Sequence, residues 1–235
     1  MAKNMVPDWY YNEFEQIGVD FGSVEEVESY DEKRKHFRDS QQELAYFEKA
    51  IGLKPHFEVL EIGCGTAALA LGLARKCKAV TAIDVSKTML EYAKEKAREK
   101  DVTNISFANA GFLTFESETN FDAIVTQVAF HHLPDFWKMV GIQNMYGLLK
   151  DGGVLCLRDS ILSFDVKKHK EFVDEYVRIT GEKTGEEMAN EVKVNITQEY
   201  PTLDWIIEGM LRRAGFSIKK VDRHTGYIAT FVCQK

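Results

Sequence analysis

The stretch VLEIGCGTA, residues 59–67, constrains the fold more than any other part of the chain. Apolar residues surround Glu61 and predict a buried strand, and Gly63 and Gly65 follow it directly. Two glycines after a strand allow a tight turn whose backbone a ligand can approach closely. A helix is expected from Thr66, and its first turn offers unpaired N–H groups and partial positive charge. The stretch therefore predicts a strand, a turn and a helix that border a nucleotide-type pocket.

Further strand-like and helix-like segments alternate along the chain. The predicted strands are residues 57–62, 78–83, 104–108, 121–126 and 153–158, and the predicted helices between them are residues 66–76, 86–100 and 135–149. The strand segments are short, apolar and rich in β-branched residues. Alternation of strand and helix predicts an α/β fold, a Rossmann-like doubly wound and mostly parallel sheet with helices on both faces.

The remaining segments complete a single domain of 235 residues. Residues 1–52 are expected to form an N-terminal helical lid, with an amphipathic helix over residues 25–51, and residues 53–159 the cofactor-binding core. Residues 160–200 lack strand signals and predict a helical insertion. Residues 201–235 predict a closing helix and two closing strands at the sheet edge, with a helix stop at Ala214–Phe216.

Charge and cysteine usage limit the classes of partner. The chain has 30 basic and 37 acidic residues, and its net charge of −7 gives no field that would attract phosphate backbones. We therefore expect no nucleic-acid partner. The N-terminal residues have no apolar region typical of a signal peptide, and no stretch is long and apolar enough to cross a membrane. Four cysteines without a CxxC pair favour reduced thiols and a cytoplasmic location.

Two kinds of cofactor fit the glycine turn. Gly63, Gly65 and Ala68 satisfy the GxGxxG/A pattern of dinucleotide-binding sites, which favours an NAD(P)-dependent oxidoreductase. Asp84 ends the second predicted strand about 20 residues later, where an acidic residue can accept hydrogen bonds from ribose hydroxyls. The same arrangement also suits S-adenosylmethionine, and the glycine pattern alone does not separate the two.

Several motifs in order extend the pattern over the chain from about residue 57 to its C-terminus. VLEIGCGTA is followed by AIDVSKTMLEYA, FDAIVTQVAFHHLPD, LLKDGGVLCLRD and LRRAGF. Together they resemble the small-molecule branch of the class I S-adenosylmethionine-dependent methyltransferases. The resemblance implies a seven-stranded sheet whose last strand is antiparallel. It also implies methyl transfer from S-adenosylmethionine to a small-molecule acceptor, with S-adenosylhomocysteine as the product.

The resemblance also assigns residues to the cofactor. Glu61 would accept from its ammonium group or hold the glycine loop, and Asp84 would hold its ribose. The remaining candidates would contact the methionine part or the adenine of the cofactor, form the pocket wall, or cover the cofactor. They are Gly63, Cys64, Gly65, Val85, Met89, Ala110, Gly111, Phe112, Gln127, Val128 and Tyr30.

The sequence departs from this family at two positions. The family usually has a third glycine at the place of Ala67, and it often has an acidic residue, which takes the adenine amino group, at the place of Gly111. These two departures would also fit a third hypothesis, a non-catalytic protein that binds S-adenosylmethionine for a regulatory purpose.

The acceptor site is expected from the N-terminal region and the 160–200 insertion, since these parts vary most in such folds. Tyr10 and Tyr11 are candidates for substrate contacts, and so is Asp159, which directly follows the fifth predicted strand. His131 and His132 are candidate catalytic bases, because histidine titrates near neutral pH, or they fix the loop that carries them. We expect no metal site, because neighbouring histidines rarely aim at one ion and no further ligand cluster lies close in sequence.

Overall fold

The computed structural model describes residues 7–15, 17–18, 23, 27, 30–31 and 39–235. Seven strands form one continuous path and a two-residue strand, β6, pairs beside it. The strands are β1 (Glu58–Ile62), β2 (Ala79–Asp84), β3 (Ile105–Asn109), β4 (Phe121–Gln127), β5 (Leu149–Leu162), β6 (Thr202–Leu203), β7 (Ser217–Arg223) and β8 (Ile228–Gln234). The α-helices of the described part are α1 (Ser40–Ile51), α2 (Ala68–Ala74), α3 (Lys87–Glu99), α4 (Asp135–Leu148), α5 (His169–Thr184), α6 (Glu186–Gln198) and α7 (Asp204–Ala214).

The order of strands in the sheet is β3-β2-β1-β4-β5-β8-β7. Strands β1 to β5 pair in parallel, and β8 is antiparallel to both of its neighbours, β5 and β7. The order reverses between β1 and β4, and at such a point the carboxyl ends of parallel strands open a crevice. The expected doubly wound sheet with an antiparallel last strand is therefore confirmed.

Successive side chains of a strand point to opposite faces of the sheet, so each face carries an apolar cluster. Helices pack on both clusters. Val59 of β1 joins the cluster that contains Phe47 of α1 and residues of α2 and α3. Leu60 joins the other cluster, which contains Ile142 of α4 and Ile207 of α7. Both clusters include fully buried aliphatic side chains, so the sheet is the shared middle layer of one packed domain.

Local signals in the sequence explain where several helices begin and end. The Asp39 carboxylate accepts from the backbone of Gln41 and Gln42 at the start of α1. The Ser86 hydroxyl accepts from Met89 N at 3.1 Å and caps α3. Gly215 ends α7 in the left-handed conformation, as the predicted helix stop requires.

Some predicted boundaries differ from the structure. The fifth strand was expected from residue 153, but β5 begins at Leu149. The helical insertion was expected from residue 160, but β5 continues to Leu162, where it pairs with β6. Strand pairing to β8 extends as far as Ser160, which explains why these residues remain extended without a strong strand signal of their own. Within the predicted helix over residues 25–51, α1 covers Ser40–Ile51, and Val27, Tyr30 and Asp31 are also helical. Asp39 is the extended N-cap of α1, so the predicted helix is not continuous, and the other residues of the range lie outside the described part. Within that described part, no helix is both long and apolar enough to cross a membrane.

Candidate active site

Three alternate residues of the glycine loop after β1 have left-handed backbone conformations, which turn the chain. Gly63 and Gly65 have φ angles of +71° and +51°, and Ala67 has +60°. The amides of Gly63 and Cys64 both donate to the Ile83 carbonyl, at 2.9 and 3.0 Å, which ties the loop to the end of β2. Ala67 is fully buried, and its conformation explains why glycine is usual there, since a left-handed alanine costs about 1 kcal/mol.

Gly63 is required for close packing between the glycine loop and the loop after β4. A Cβ atom at this position would lie 2.3 Å from the Ala129 Cβ, a contact that neither short side chain can relieve. We expect Gly63→Ala to lower the free energy of unfolding by about 3 kcal/mol, from overpacking together with the positive φ. Chemical denaturation with a two-state fit measures the change.

Gly147→Ala is the matched control for this prediction. Gly147 lies in α4, and a Cβ atom there would meet nothing within 4 Å. The added methyl group should leave stability unchanged or raise it by up to about 1 kcal/mol, because alanine is the better helix former. Equal stabilities of the two variants would contradict the packing argument for Gly63.

Asp84 connects the glycine loop to the start of α3. One carboxylate oxygen accepts from Gly65 N and the other from Ser86 N, each at 2.8 Å. Asp84 is 9% exposed, and burial raises the pKa of its carboxyl group while these backbone hydrogen bonds oppose the rise. The Asp84 carboxylate oxygens therefore lie at the end of β2 that borders the crevice. They lie beside the glycine turn, where the sequence predicts that a ligand approaches the backbone.

Cys64 lies between the two acidic residues of this region. Burial raises the pKa of its thiol well above the usual value, and the negative charges of Asp84 and Glu61 raise it further. Glu61 is 3% exposed on β1, two residues before Gly63. The thiol thus stays protonated at neutral pH, and we assign Cys64 to the wall of the crevice rather than to a nucleophile.

A helical turn from the N-terminal region lies over the glycine loop. The Thr66 hydroxyl donates to Asp31 at 2.7 Å, and Lys96 of α3 forms an ion pair with the same carboxylate at 2.5 Å. The Tyr30 hydroxyl lies 4.0 Å from the place of a Cβ on Gly65. The Tyr30 hydroxyl therefore stands beside the glycine loop.

The segment after β3 continues the crevice floor next to Asp84. Asn109 donates through its side-chain amide to the carbonyls of Asp84 and Val85, at 3.0 and 2.9 Å. Phe112 packs edge to face on Phe130 with ring centroids 4.9 Å apart and is 7% exposed. Its ring lies in the apolar cluster that also contains Phe130 and Ile142. The remaining predicted residues here, Met89 and Ala110, are also buried.

An unpredicted acidic residue, Glu13, reaches this segment from the N-terminal region. Its carboxylate accepts from Thr114 Oγ1 at 2.7 Å and from Leu113 N, which lies 3.1 Å from each oxygen. A Cβ atom on Gly111 would lie 2.4 Å from Glu13 Oε2. The carboxylate thus occupies the volume where a side chain at position 111 would begin.

The chain after β4 is strained where it enters the crevice. Val128 has a φ angle of +52° and is 45% exposed, although a β-branched residue rarely adopts this conformation. Its amide donates to the Arg158 carbonyl at 2.8 Å, which holds the strained turn. Gln127 directly precedes it at the end of β4. Exposed, strained backbone of this kind concentrates at functional sites.

His131 bridges two buried carboxylates. Its Nδ1 lies 2.6 Å from Asp159 Oδ1, and its Nε2 lies 3.3 Å from Glu199 Oε2. Burial alone would lower the pKa of His131, but the two carboxylates outweigh it and raise the pKa to about 9. His131 is therefore a cation at neutral pH, and both carboxylates have lowered pKa values through their hydrogen bonds and attraction to it.

Asp159 is the hub of this ion-pair network. Its Oδ2 accepts from the amides of Ala129 and Phe130, and its Oδ1 accepts from Ser160 N as well as facing His131. Asp159 is 1% exposed. These contacts fix the loop after β4 and leave little surface for a direct contact with an acceptor.

Glu199 joins His131 and His132 as a third possible metal ligand, which the sequence argument against a metal site did not foresee. The ligand atoms of His131, His132 and Glu199 all lie within 4.8 Å of one another, although Glu199 is more than 60 residues away in sequence. Both ring nitrogens of His131 already face carboxylates, and Asn195 donates to Glu199 at 2.6 Å. Hydrogen bonds and ion pairs thus account for the arrangement of these groups.

His132 borders the crevice beside this network. Burial and repulsion from the His131 cation lower the pKa of His132 to about 4, although Glu199 and Asp159 oppose the shift, so its ring is neutral at physiological pH. The Tyr11 hydroxyl donates to the His132 carbonyl at 3.1 Å. A Cβ atom on Gly18 would lie 2.2 Å from Glu199 Oε1, so the N-terminal segment closes directly on the same carboxylate.

Tyr10 and Tyr11 pack on α4. Their rings contact Trp137, with centroids 4.6 and 6.0 Å away, and the Tyr10 hydroxyl donates to the Leu113 carbonyl. The structure thus brings together the N-terminal aromatic residues, the loop after β4 and the end of the helical insertion. Glu13 and Glu199 were missed because each acts far from its place in sequence, and neither stands in a motif.

Comparison with known proteins identifies the relatives of this chain. A family profile described as "Methyltransferase domain" matches residues 59–153. An uncharacterized methyltransferase of Bacillus cereus is 31% identical over 150 residues, which cover 64% of this chain and 66% of that protein. The match thus spans just under two thirds of the relative's length.

Solved structures share the fold at lower identity. A S-adenosylmethionine-dependent methyltransferase of Aquifex aeolicus has a TM-score of 0.63 at 20% identity, covering 90% of this chain and 98% of that one. A magnesium protoporphyrin IX methyltransferase of Synechocystis, solved with S-adenosylhomocysteine, has a TM-score of 0.62 at 18% identity, covering 95% and 91%. At these identities the structural match supports the fold.

Proposed function

We propose that the chain is a class I S-adenosylmethionine-dependent methyltransferase and that it transfers a methyl group from S-adenosylmethionine to a small-molecule acceptor. The methyltransferase profile over residues 59–153 and the relatives at 31% identity support this proposal. The observation that carries the proposal is the junction of the glycine loop with Asp84, where Gly65 N and the Asp84 carboxylate meet at 2.8 Å. This junction lies beside the topological switch point of the sheet, where such folds bind nucleotides.

The residues at this junction fit the cofactor. Gly65 has positive φ, and among the residues that the structure describes, beyond its chain neighbours, the Tyr30 hydroxyl is the one group within 4.0 Å of the place of a Cβ. A ligand can therefore lie on the backbone of the loop, under Tyr30. The Asp84 carboxylate offers further lone pairs to ribose hydroxyls, and Glu61 offers a negative charge to an ammonium group. Gly63, Cys64 and Val85 complete the proposed cofactor contacts, with Met89 and Ala110 behind them.

The protein's contribution to the reaction is alignment and exclusion of water. S-adenosylmethionine supplies an electrophilic methyl group on its sulfonium, which a nucleophile displaces in line. Gln127 and the strained, exposed Val128 form the proposed wall between donor and acceptor. Tyr30 covers the donor side, and an aromatic ring near a sulfonium also attracts its positive charge. Correct positioning of two reactants can supply several kcal/mol of a reaction barrier.

The acceptor site is proposed where three parts of the chain meet around His132. The N-terminal segment contributes Tyr10, Tyr11 and residues 17–18, and the loop after β4 contributes the histidine itself. The end of the insertion contributes Glu199. A chain of contacts holds that insertion: Tyr227 donates to Asn195, Asn195 donates to Glu199, and the Tyr227 ring stacks on Tyr176 of α5 at 4.4 Å.

The two histidines have different proposed roles. His131 is a buried cation that two carboxylates hold, so it positions the loop and offers no free base. His132 is neutral and borders the acceptor site, so it is the better candidate for a contact with the acceptor. Asp159 acts through His131, as a positioning residue, rather than by touching the acceptor. The partner is a small molecule and not a nucleic acid, because the chain's net charge is −7.

The proposal is tested by calorimetric titration with S-adenosylhomocysteine, with NAD and NADP as parallel titrants. We expect S-adenosylhomocysteine to bind with micromolar affinity and the nicotinamide nucleotides not to bind. Turnover is then measured as S-adenosylhomocysteine formed from S-adenosylmethionine and pooled small-molecule fractions of a cell extract. Binding of NAD or NADP alone would contradict the proposal. Tight binding without turnover in any fraction would favour a regulatory protein that only binds the cofactor.

A further inference from the structure

Glu13 is a buried carboxylate in a part of the chain where no sequence motif predicts one. It is 8% exposed and lies 100 residues from its hydrogen-bond partner Leu113. Burial raises the pKa of its carboxyl group, and the groups that oppose the rise are the Thr114 hydroxyl and backbone amides of the 112–114 turn. Holding a buried anion with neutral donors is costly, and an anchor for the N-terminal segment alone would not need a charge.

Position 111 explains how this carboxylate is accommodated. A Cβ atom on Gly111 would lie 2.4 Å from Glu13 Oε2 and 2.9 Å from Oε1, so any other residue would expel Glu13. Gly111 N donates to Thr114 Oγ1, and that hydroxyl donates to Glu13 Oε1. Gly111 and Glu13 therefore act together, because the missing side chain at position 111 gives the space that the Glu13 carboxylate fills.

The place of this carboxylate relative to Asp84 is set by the sheet. Asn109 at the end of β3 is the register partner of Asp84 at the end of β2. Ala110 N donates to the Asp84 carbonyl at 3.2 Å, so Gly111 and Glu13 lie one short step beyond the ribose position. Ligands of such sheets bind along the carboxyl ends of the strands. A nucleoside whose ribose is held by Asp84 would bring its base to this carboxylate if the base lies on the β3 side of the ribose.

We propose that Glu13 recognises the adenine ring of the cofactor, by accepting a hydrogen bond from its 6-amino group. The inference rests on the proposed function, because it requires an adenine nucleoside on Asp84. A carboxylate has about four lone-pair positions. Oε1 accepts from Leu113 N and Thr114 Oγ1, whereas Leu113 N is the donor that the structure shows at Oε2. Oε2, which faces Gly111, is the oxygen assigned to the base.

The proposal makes the site selective for a purine that donates at position 6. In S-inosylhomocysteine the 6-amino group is replaced by a carbonyl oxygen, which would face the carboxylate as a second acceptor. A site built to receive a donor rejects an analogue that lacks it, because its own buried polar group is left unpaired. We expect the protein to bind S-adenosylhomocysteine roughly 100-fold more tightly than S-inosylhomocysteine.

Calorimetric titration of both nucleosides into the wild-type protein, Glu13→Ala and Glu13→Ala/Gly111→Asp tests the inference. Glu13→Ala should lose about 10-fold in affinity for the adenosine compound and little for the inosine compound, so the preference shrinks. The double variant should recover the preference, since an aspartate at position 111 then has the space that Glu13 leaves. Glu15→Ala, an exposed glutamate two residues away, is the matched control and should keep the wild-type preference.

Two outcomes would overturn the inference, and they differ from failure of the proposed function. Equal loss of affinity for both nucleosides in Glu13→Ala, or an unchanged preference, would make Glu13 an anchor of the N-terminal segment only. If the wild-type protein binds neither nucleoside, the proposed function and the inference fail together. Thermal unfolding of each variant shows that the compared proteins are folded, and the double variant provides a second test if Glu13→Ala is unstable.

Discussion

Replacing Asp84 with alanine should reduce the affinity for S-adenosylhomocysteine by 100-fold or more. The carboxylate does two things at once: it is placed for ribose hydroxyls, and it holds the amides of Gly65 and Ser86 at 2.8 Å. A hydrogen bond to a charged group contributes about 1.5–3 kcal/mol, so losing two to the ribose accounts for the expected change. Calorimetric titration at constant salt measures it.

Two further variants separate binding from loop structure. Asp84→Asn keeps the shape but places an NH₂ group against either Gly65 N or Ser86 N, so we expect it to lose most of the affinity as well. Asp151→Ala is the control, because Asp151 is an exposed residue near the start of β5, at the opposite end of the strands. An Asp84→Ala protein that is folded and binds within 3-fold of wild type would refute the assignment of Asp84 to the ribose.

The second large effect is expected at His131. Removing the imidazole in His131→Ala leaves Asp159 and Glu199 as buried carboxylates without their shared cation. Breaking a buried ion pair in this way typically costs about 3–5 kcal/mol. We therefore expect the free energy of unfolding at pH 7 to fall by that amount, measured by urea denaturation. His224→Ala is the matched control, because His224 is exposed and its ring contacts Thr230 and Arg158; about 1 kcal/mol is expected there.

The pH dependence of stability provides an independent test of the same network. The pKa of His131 is about 9 in the folded protein, above the value of 6.5 expected when unfolded. The stabilisation is therefore fully present below pH 6.5 and is lost as the pH rises through 9, by a total on the order of 3 kcal/mol. Wild type should lose stability over this range more steeply than His131→Ala. Parallel curves for the two proteins would show that His131 is not the buried cation.

The cofactor half of the fold could be predicted because its signals are local. The strands around Glu61 and Asp84 were located to within one residue, since buried parallel strands read as short apolar runs between glycine turns and helix caps. Ser86 caps α3 as its position before the helix predicted. The antiparallel last strand followed from the order of motifs, and the sheet confirms it.

The acceptor half could not be predicted in the same way, because its contacts join distant segments. Glu199 meets His131 only because the insertion folds back over β5, and no spacing in the sequence encodes that meeting. Glu13 and Gly111 form one unit across 98 positions, so the glycine alone looked like a missing acidic residue. Phe112 packs on Phe130, which lies 18 residues later in the sequence, and no motif encodes that contact.

The position of β8 has a consequence for how the sheet is assembled. β8 lies between β5 and β7, although about 65 residues separate it from the end of β5, so its pairing is strongly non-local. Pairings of this kind form slowly, because the loop must close before the contacts are gained. During synthesis the half of the sheet from β1 to β5 precedes the strand that completes it. Until β8 arrives, the free edge of β5 is open to pairing with other chains, which makes this period the one in which the protein most needs protection from aggregation.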